Sequence, residues 1–226
     1  KKAKGKYDLV IACGGDGTIN EAINGLATSK TPLGVLPLGT ENVLARELKI
    51  PKNLRAACRK IAFGHVKQVD LGKLTAQPTK KDKKRGMKKV NRYFILMCGV
   101  GFGAHVADTV AKDKTKLKKL LGSVSYPIIA VQQFFKYKQK PLTVEVMEGK
   151  KVIKTMDGYF VLAGNAKYYG MLFQLTHRAN LTDGMLDVLV MKQMRLVDII
   201  RCLFGGTVKS HQLCKQVYYK KMKKIR

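Results

Sequence analysis

The residue types best suited to chemistry lie in one short stretch: Gly14, Gly15, Asp16, Gly17, Thr18, Ile19, Asn20 and Glu21. This glycine segment (residues 14–21) follows an apolar run at positions 9–12 and opens a stretch with apolar residues at positions 19, 22, 23, 26 and 27. The run predicts a buried parallel strand, and the spacing predicts a helix. Glycines at such a junction allow a sharp turn, and the helix N-terminus favours an anion such as phosphate.

Asp16 does not suit a phosphate site by itself, because a carboxylate repels phosphate. It would suit the site if it held a cation such as Mg²⁺ against the phosphates, or if it took a proton from an attacking hydroxyl. Thr18 and Glu21 have the spacing of a capping box, which predicts where the helix begins. An ordinary strand-to-helix turn with Asp16 as a turn residue explains the same stretch equally well.

A second pattern follows the next predicted strand, Leu33–Pro37, and contains Gly39, Thr40, Glu41 and Asn42, the GTEN segment (residues 39–42). GGDGTINE followed by PLGTENVLAR resembles the diacylglycerol kinase catalytic domain family, which includes bacterial lipid kinases and sphingosine and ceramide kinases and is distantly related to NAD kinases. TDGMLD at residues 182–187 resembles the family's DG-x-L-D segment. NAD kinases share GGDGT but not the second pattern, so the resemblance favours the lipid branch.

The resemblance implies an ATP-dependent lipid kinase that transfers the γ-phosphoryl group of ATP to the hydroxyl of a diacylglycerol-type or sphingoid-base-type lipid. ATP and Mg²⁺ are the implied cofactors. The glycine segment together with Gly39, Thr40 and Asn42 would bind ATP, and Asp16 would be the catalytic residue. Two alternatives stay open: an NAD kinase-like small-molecule kinase and a non-catalytic nucleotide- or lipid-binding module.

A structural metal site is also implied by the resemblance. In bacterial relatives the loop matched by residues 180–185 binds Mg²⁺, and by position the ligands here would be the carboxylate of Asp183 and the backbone carbonyls of Asn180 and Met185. A plain Asp-Gly turn explains this loop equally well. The chain departs from the family at Gly103, which stands where the family usually has Asp, so no residue is assigned to hold the substrate hydroxyl.

The predicted fold has two domains. Residues 1–65 are expected to form a doubly wound, NAD kinase-like α/β domain that binds the nucleotide. Residues 66–226 are expected to form a mainly β lipid-substrate domain, an antiparallel sandwich or barrel, because short strands with turn signals follow one another. Strands are predicted at 68–74, 93–98 and 172–176 among others. Relatives carry motifs before and after this stretch, so the chain is expected to be truncated at both ends.

Charge is the outlying bulk property: 44 Lys and Arg against 15 Asp and Glu give a net charge of +29. Such a surface attracts polyanions, including an anionic membrane, although a solvated lysine-rich surface is an equally good explanation. Aromatic residues make up 8%, Trp is absent and no recognised motif occurs, so no specific nucleic acid is expected. Five scattered cysteines and the lack of a secretory signal or a membrane-spanning apolar run predict a cytoplasmic protein with peripheral membrane contact.

Overall fold

The first unit begins with a strand, a helix and a second strand. A computed structural model describes residues 4–84, 86, 88–112, 125–170, 173–200 and 216–226, and its contacts divide the chain into Lys1–Leu96 and Met97–Arg226. Strand β1 (Val10–Gly14) pairs in parallel with β2 (Leu33–Pro37), and helix α1 (Asp16–Leu26) connects them. The buried face of α1 carries three apolar residues at helical spacing: Ile19, Ile23 and Leu26. The predicted parallel strand–helix–strand arrangement is confirmed.

Three helices and a hairpin complete this unit: α2 (Val43–Glu47), α3 (Leu54–Phe63), β3 (Gly72–Ala76), α4 (Lys80–Lys84) and β4 (Val90–Phe94). The side chain of Asn53 caps α3 by accepting a hydrogen bond from the amide of Ala56, at 3.1 Å. Asn24 in α1 donates to the carbonyl of Tyr93 and accepts from its amide, both at 2.8 Å. The antiparallel β3–β4 hairpin is therefore part of the first unit. The domain boundary predicted from sequence lies earlier, after residue 65.

The second unit is built from two antiparallel sheets. The first sheet has the order β10-β9-β8-β5, with strands Val217–Met222, Leu186–Met191, Phe160–Gly164 and Met97–Gly101. The second sheet has the order β11-β6-β7, with strands Lys224–Ile225, Leu142–Glu148 and Lys151–Gly158. All of these pairings are antiparallel. The predicted succession of an α/β part and an antiparallel β part is confirmed.

Helices α5 (Phe102–Lys112) and α6 (Ser125–Lys136) pack on the core of the second unit. This core combines apolar residues of both helices, including Val110 and Ile129, with strand residues such as Leu162 and Leu189. Burial of these side chains supplies the main driving force for the unit to fold.

Three predicted strands differ from those observed. The strand predicted at 68–74 corresponds to β3, which begins only at Gly72 and ends at Ala76. The single strand predicted at 93–98 is two strands, since β4 ends at Phe94 and β5 begins at Met97. The strand predicted at 172–176 is reduced, in its described part, to one isolated bridge between Tyr169 and Phe173. An apolar run cannot by itself show where a chain passes from one sheet to another, because both sheets need apolar residues.

Candidate active site

Helix α1 begins at Asp16, and one residue separates it from the end of β1 at Gly14. Its N-cap is Gly15, which has an extended backbone (φ −88°, ψ −177°) and makes no side-chain capping bond. Thr18 therefore lies inside the first turn, and the carboxylate of Glu21 instead pairs with Arg92 on β4. The predicted capping box is wrong. Only Gly15 lies between β1 and the helix, so the N-cap is Gly15 and not Thr18.

The carboxylate of Asp16 joins the glycine segment to the next helix. Its Oδ2 accepts a hydrogen bond from the amide of Val43, and its Oδ1 accepts one from the amide of Leu44, each at 3.0 Å. These amides belong to the first turn of α2, which has no hydrogen bond from its own N-cap side chain. Asp16 thus satisfies two amide donors that the helix itself cannot satisfy.

The buried side chain of Asn42 holds the GTEN segment in its conformation through hydrogen bonds to the backbone. Asn42 is 6% exposed and adopts the left-handed backbone conformation (φ 51°, ψ 47°), which Asn tolerates better than most residues. Its side-chain oxygen accepts from the amide of Gly39 at 2.9 Å, and its side-chain nitrogen donates to the carbonyl of Gly39 at 2.6 Å and to that of Pro37 at 3.4 Å. The amide group of Asn42 therefore closes the turn between β2 and α2.

Gly15 and Gly39 bring the two segments into direct backbone contact. A Cβ atom built on Gly39 would lie 2.4 Å from the Cα of Gly15 and 3.0 Å from its nitrogen. Only glycine fits at such a distance, because the opposing atoms are backbone and cannot rotate away. The amide of Leu38 adds a hydrogen bond to the carbonyl of Gly14, at 3.2 Å. The two sequence motifs therefore lie against each other at the carboxyl ends of β1 and β2, and together they form the candidate site.

The predicted nucleotide-binding residues differ in what they present to solvent. Gly17 is exposed, and no atom lies within 4 Å of a Cβ built there. Thr18 and Thr40 are exposed as well, so that their hydroxyl groups are accessible. Ile19 is fully buried and packs in the core of the unit, so its side chain is not available to a ligand.

Asn20 and Glu21 contribute to the structure of α1 and its neighbours. The carbonyl of Asn20 accepts a hydrogen bond from the side chain of Asn24, at 2.8 Å. The exposed Glu21 pairs with Arg92, as described above. The accessible groups at the turn are therefore the amides of the first turn of α1 and the two threonine hydroxyls.

The predicted metal loop at 180–185 is closed by hydrogen bonds of its own. The side-chain oxygen of Asn180 accepts from the amide of Thr182 at 3.2 Å and from its hydroxyl at 3.0 Å. Asp183 Oδ1 accepts from the amide of Met185 at 3.1 Å, and Asp183 Oδ2 binds the ammonium group of Lys221. Among the described residues, no group of three or more His, Cys, Asp or Glu side chains could hold a metal ion.

A buried polar network that the sequence analysis missed lies beside this loop. Asp187 is fully buried; its Oδ1 accepts a hydrogen bond from the hydroxyl of Tyr219 at 2.7 Å, and its Oδ2 lies 3.4 Å from Lys221 Nζ. Burial, with this bond to Asp187, raises the pKa of Tyr219 far above its usual range, so it stays a hydrogen-bond donor. The alternation of Tyr219 and Lys221 along β10 could have indicated that they share one face.

Gly103 occupies a position with no room for a side chain. It is buried near the start of α5, and a Cβ atom there would lie 1.9 Å from Cε2 of Phe160 and 2.5 Å from Cδ2 of the same ring. Phe160 is itself a buried member of the core. The aromatic ring therefore fills the space that an aspartate side chain would need, which gives a physical reason for glycine at this position.

No helix among the described residues is both long enough and apolar enough to cross a membrane.

Comparison with known families gives two matches along the chain. Residues 1–74 match the diacylglycerol kinase catalytic domain, and residues 97–225 match the YegS C-terminal NAD kinase beta sandwich-like domain. The second match covers more than half of the chain. The boundary between the two structural units, after Leu96, coincides with the start of the second match.

Individual relatives agree with the family matches. A diacylglycerol kinase of Staphylococcus saprophyticus is 28% identical over 97% of this chain, and one of Bacillus subtilis is 28% identical over 98% of it. The chain spans 66% and 67% of their length, about two thirds. A crystal structure from Bacillus anthracis, described as a diacylglycerol kinase, is 25% identical with a TM-score of 0.70, covering 99% of this chain and 67% of that one. The chain therefore belongs to the family that joins a diacylglycerol kinase catalytic domain to a YegS-type C-terminal NAD kinase beta sandwich-like domain.

Proposed function

We propose that this protein is an ATP-dependent lipid kinase that transfers the γ-phosphoryl group of ATP to a lipid hydroxyl. The observation that carries the proposal is the close joining of the glycine segment to the GTEN segment, by the carboxylate of Asp16 and the backbone contact of Gly15 with Gly39. Together they form a rigid turn with free backbone amides at the N-terminus of an 11-residue helix. Such a turn is suited to hold phosphate groups.

The residues of this turn would act mainly by binding and positioning. The open space over Gly17 allows a phosphate group to approach the amides of α1 closely, and the exposed hydroxyls of Thr18 and Thr40 can donate hydrogen bonds to phosphate oxygens. ATP supplies the transferred group. Phosphoryl transfer needs little covalent help from a protein, so fixed amide and hydroxyl donors account for a large part of the expected catalysis.

Asp16 acts in this proposal through position and charge rather than as a base. Each of its oxygens accepts a hydrogen bond from α2, and protonating the carboxylate would weaken that contact. The oxygens keep further lone pairs that could reach Mg²⁺. Mg²⁺ in phosphate sites is commonly held by one or two carboxylates together with the phosphates themselves, which suits a turn with this single Asp. The metal would supply charge neutralisation at the phosphates.

The lipid acceptor is proposed from the names of the relatives and from the charge of the chain. Relatives that share nearly the whole chain are called diacylglycerol kinases, so diacylglycerol is the first acceptor to test. The net charge of +29 favours the anionic, water-facing surface of a membrane, where such a lipid is found. NAD is included in the test, because the second unit belongs to an NAD kinase-like sandwich family.

The test is transfer of labelled phosphate from ATP, in the presence of Mg²⁺, to vesicles containing diacylglycerol, sphingosine or phosphatidylglycerol and, separately, to NAD. Asp16→Ala removes the link between the two segments and is expected to abolish transfer. Asp108→Ala is the matched control, since this carboxylate is exposed and its ion pair among the described residues is with Lys112 in the same helix.

Label in a lipid, lost in Asp16→Ala and kept in Asp108→Ala, would support the proposal and identify the acceptor class. Label in NAD alone would replace it with a nucleotide kinase. Absence of label in every acceptor, with ATP still bound in a direct binding measurement, would leave a non-catalytic nucleotide-binding module.

A further inference from the structure

Lys221 places its ammonium group between two carboxylates of the second unit. It binds Oδ2 of Asp183 in the 180–185 loop and lies 3.4 Å from Oδ2 of Asp187 on β9. The side chain of Asp187 is fully buried and that of Asp183 is 25% exposed. A buried carboxylate needs a nearby positive charge and hydrogen-bond donors to remain ionised, and Lys221 is in contact with both groups.

Two neutral donors also bind these carboxylates. Tyr219 gives its hydroxyl hydrogen to Asp187 Oδ1 at 2.7 Å, and the amide of Met185 donates to Asp183 Oδ1 at 3.1 Å. The guanidinium of Arg178 lies over the ring of Tyr219, 6.0 Å from its centroid. The cation in direct contact with both carboxylates, among the described ion pairs, is the ammonium group of Lys221.

This arrangement does not suit the structural Mg²⁺ that the family resemblance implies for the loop. Asp183 would be the charged ligand of that metal, and its Oδ2 is already paired with the ammonium group of Lys221. A divalent cation on this carboxylate would lie within a few ångströms of the ammonium group and would be repelled by it. The other two ligands that the resemblance implies, the backbone carbonyls of Asn180 and Met185, carry no net charge to offset this repulsion.

We propose that Lys221 takes the place of the divalent cation, so that the 180–185 loop of this protein is held in its conformation without a metal. The Asp-Gly turn itself is formed by Gly184, which has a φ of +67° that glycine adopts without strain. The positive charge that the loop needs is then supplied by β10, within the same chain. This inference does not depend on kinase activity, since it concerns the stability of the loop and not the transfer of phosphate.

The experiment measures hydrogen exchange of peptides that cover residues 180–187, and thermal unfolding of the whole chain, with no nucleotide present. Wild type, Lys221→Met, Lys221→Arg and Lys220→Met are compared in EDTA and in millimolar MgCl₂, with ionic strength matched by NaCl. Lys220 is the matched control, because it is the exposed neighbour on the opposite face of β10.

Wild type, Lys221→Arg and Lys220→Met are expected to show the same exchange with and without Mg²⁺. Lys221→Met is expected to exchange at least about tenfold faster in EDTA and to unfold about 5 °C lower than Lys220→Met, because it leaves two carboxylates without their cation. Addition of Mg²⁺ is expected to recover part of this loss, since the vacated position can then accept a cation.

Protection of residues 180–187 by Mg²⁺ in the wild type, beyond that seen with NaCl, would overturn the proposal. Equal protection of Lys221→Met and Lys220→Met in EDTA would overturn it as well, because the lysine would then not hold the loop. If Lys221→Met does not fold, the comparison of wild type with Lys221→Arg in EDTA and Mg²⁺ still decides whether the loop responds to metal.

Discussion

Gly39→Ala and Gly17→Ala are expected to have different effects on the protein. The first should lower its stability, whereas the second should weaken phosphate binding without loss of stability. At Gly39 the added Cβ would lie 2.4 Å from the Cα of Gly15. At Gly17 the same atom would meet nothing within 4 Å, and Gly17 lies in the first turn of α1. The two substitutions are chemically identical, so any difference between them reports on their surroundings.

The expected magnitudes follow from these contacts. Overpacking costs about 1–3 kcal/mol, and Gly39→Ala should lie near the upper end because the obstructing atoms belong to the backbone. Gly17→Ala should gain roughly 0.5 kcal/mol, since alanine loses less conformational entropy than glycine in a helix. Both should weaken ATP binding. We expect a loss of about tenfold or more for Gly17→Ala, equivalent to about 1.4 kcal/mol, because the methyl group fills the space proposed for a phosphate.

Urea unfolding followed by circular dichroism gives the free energy of unfolding, and calorimetric titration with ATP and Mg²⁺ gives the affinity. A stable Gly17→Ala protein that binds ATP as tightly as wild type would refute the placement of phosphate at the N-terminus of α1. A Gly39→Ala protein with an unchanged urea midpoint would refute the argument that the two segments are held by backbone contact.

Three further predictions concern other parts of the molecule. Gly103→Ala is expected to lower the free energy of unfolding by about 1–3 kcal/mol, because its Cβ would lie 1.9 Å from Phe160; urea unfolding measures this. Thiol labelling near neutral pH is expected to modify the exposed Cys13 and Cys58 before Cys98, since burial raises the pKa of Cys98 and lowers its thiolate fraction; peptide mass spectrometry follows the order. Replacement of the lysines of α4 by glutamine is expected to weaken binding to anionic vesicles about tenfold or more at low salt, measured by co-sedimentation.

Each of these has a contradicting outcome. An unchanged urea midpoint for Gly103→Ala would mean that the ring of Phe160 moves aside without cost. Faster labelling of Cys98 than of Cys13 would show that the second unit opens readily around β5. If the α4 variant bound anionic vesicles as well as the wild type, or lost binding to neutral vesicles to the same extent, the basic helix would have no electrostatic role at a membrane.

The features predicted correctly from sequence are those that depend on neighbouring residues. The apolar run at positions 9–12 predicts β1, and the helical spacing of apolar residues from Ile19 onward predicts α1. Both predictions are correct because the periodicity of a strand or helix directly decides which side chains are buried. The cap of α3 is a local contact of the same kind, since Asn53 binds the amide of Ala56 only three residues away. The glycine at position 103 has no such local explanation, because it is required by packing against the ring of Phe160, which is distant in sequence.

The organisation of the candidate site depends on contacts that sequence patterns do not display. The spacing of Thr18 and Glu21 fits a capping box, yet α1 begins two residues earlier and Glu21 pairs with Arg92, 71 residues away. The role of Asp16 as a link to α2 spans 27 residues. Lys221 reaches Asp183 across 38 residues, and this contact exists only because β10 pairs with β9. The motifs predict where the candidate site lies, whereas the contacts of their polar atoms required the three-dimensional structure.

The contact between Asp16 and the first turn of α2 has a consequence for how such proteins are inherited and recognised. Loss of the carboxylate leaves the amides of Val43 and Leu44 without the acceptor that Asp16 provides. In chains that carry both motifs, a change of Asp16 should therefore be accompanied by a change in the first turn of α2. A search with the glycine-rich motif alone will also collect unrelated strand-to-helix turns. A search that requires both motifs at this separation selects chains able to build the same turn, and transplanting the turn into another protein would require moving both pieces.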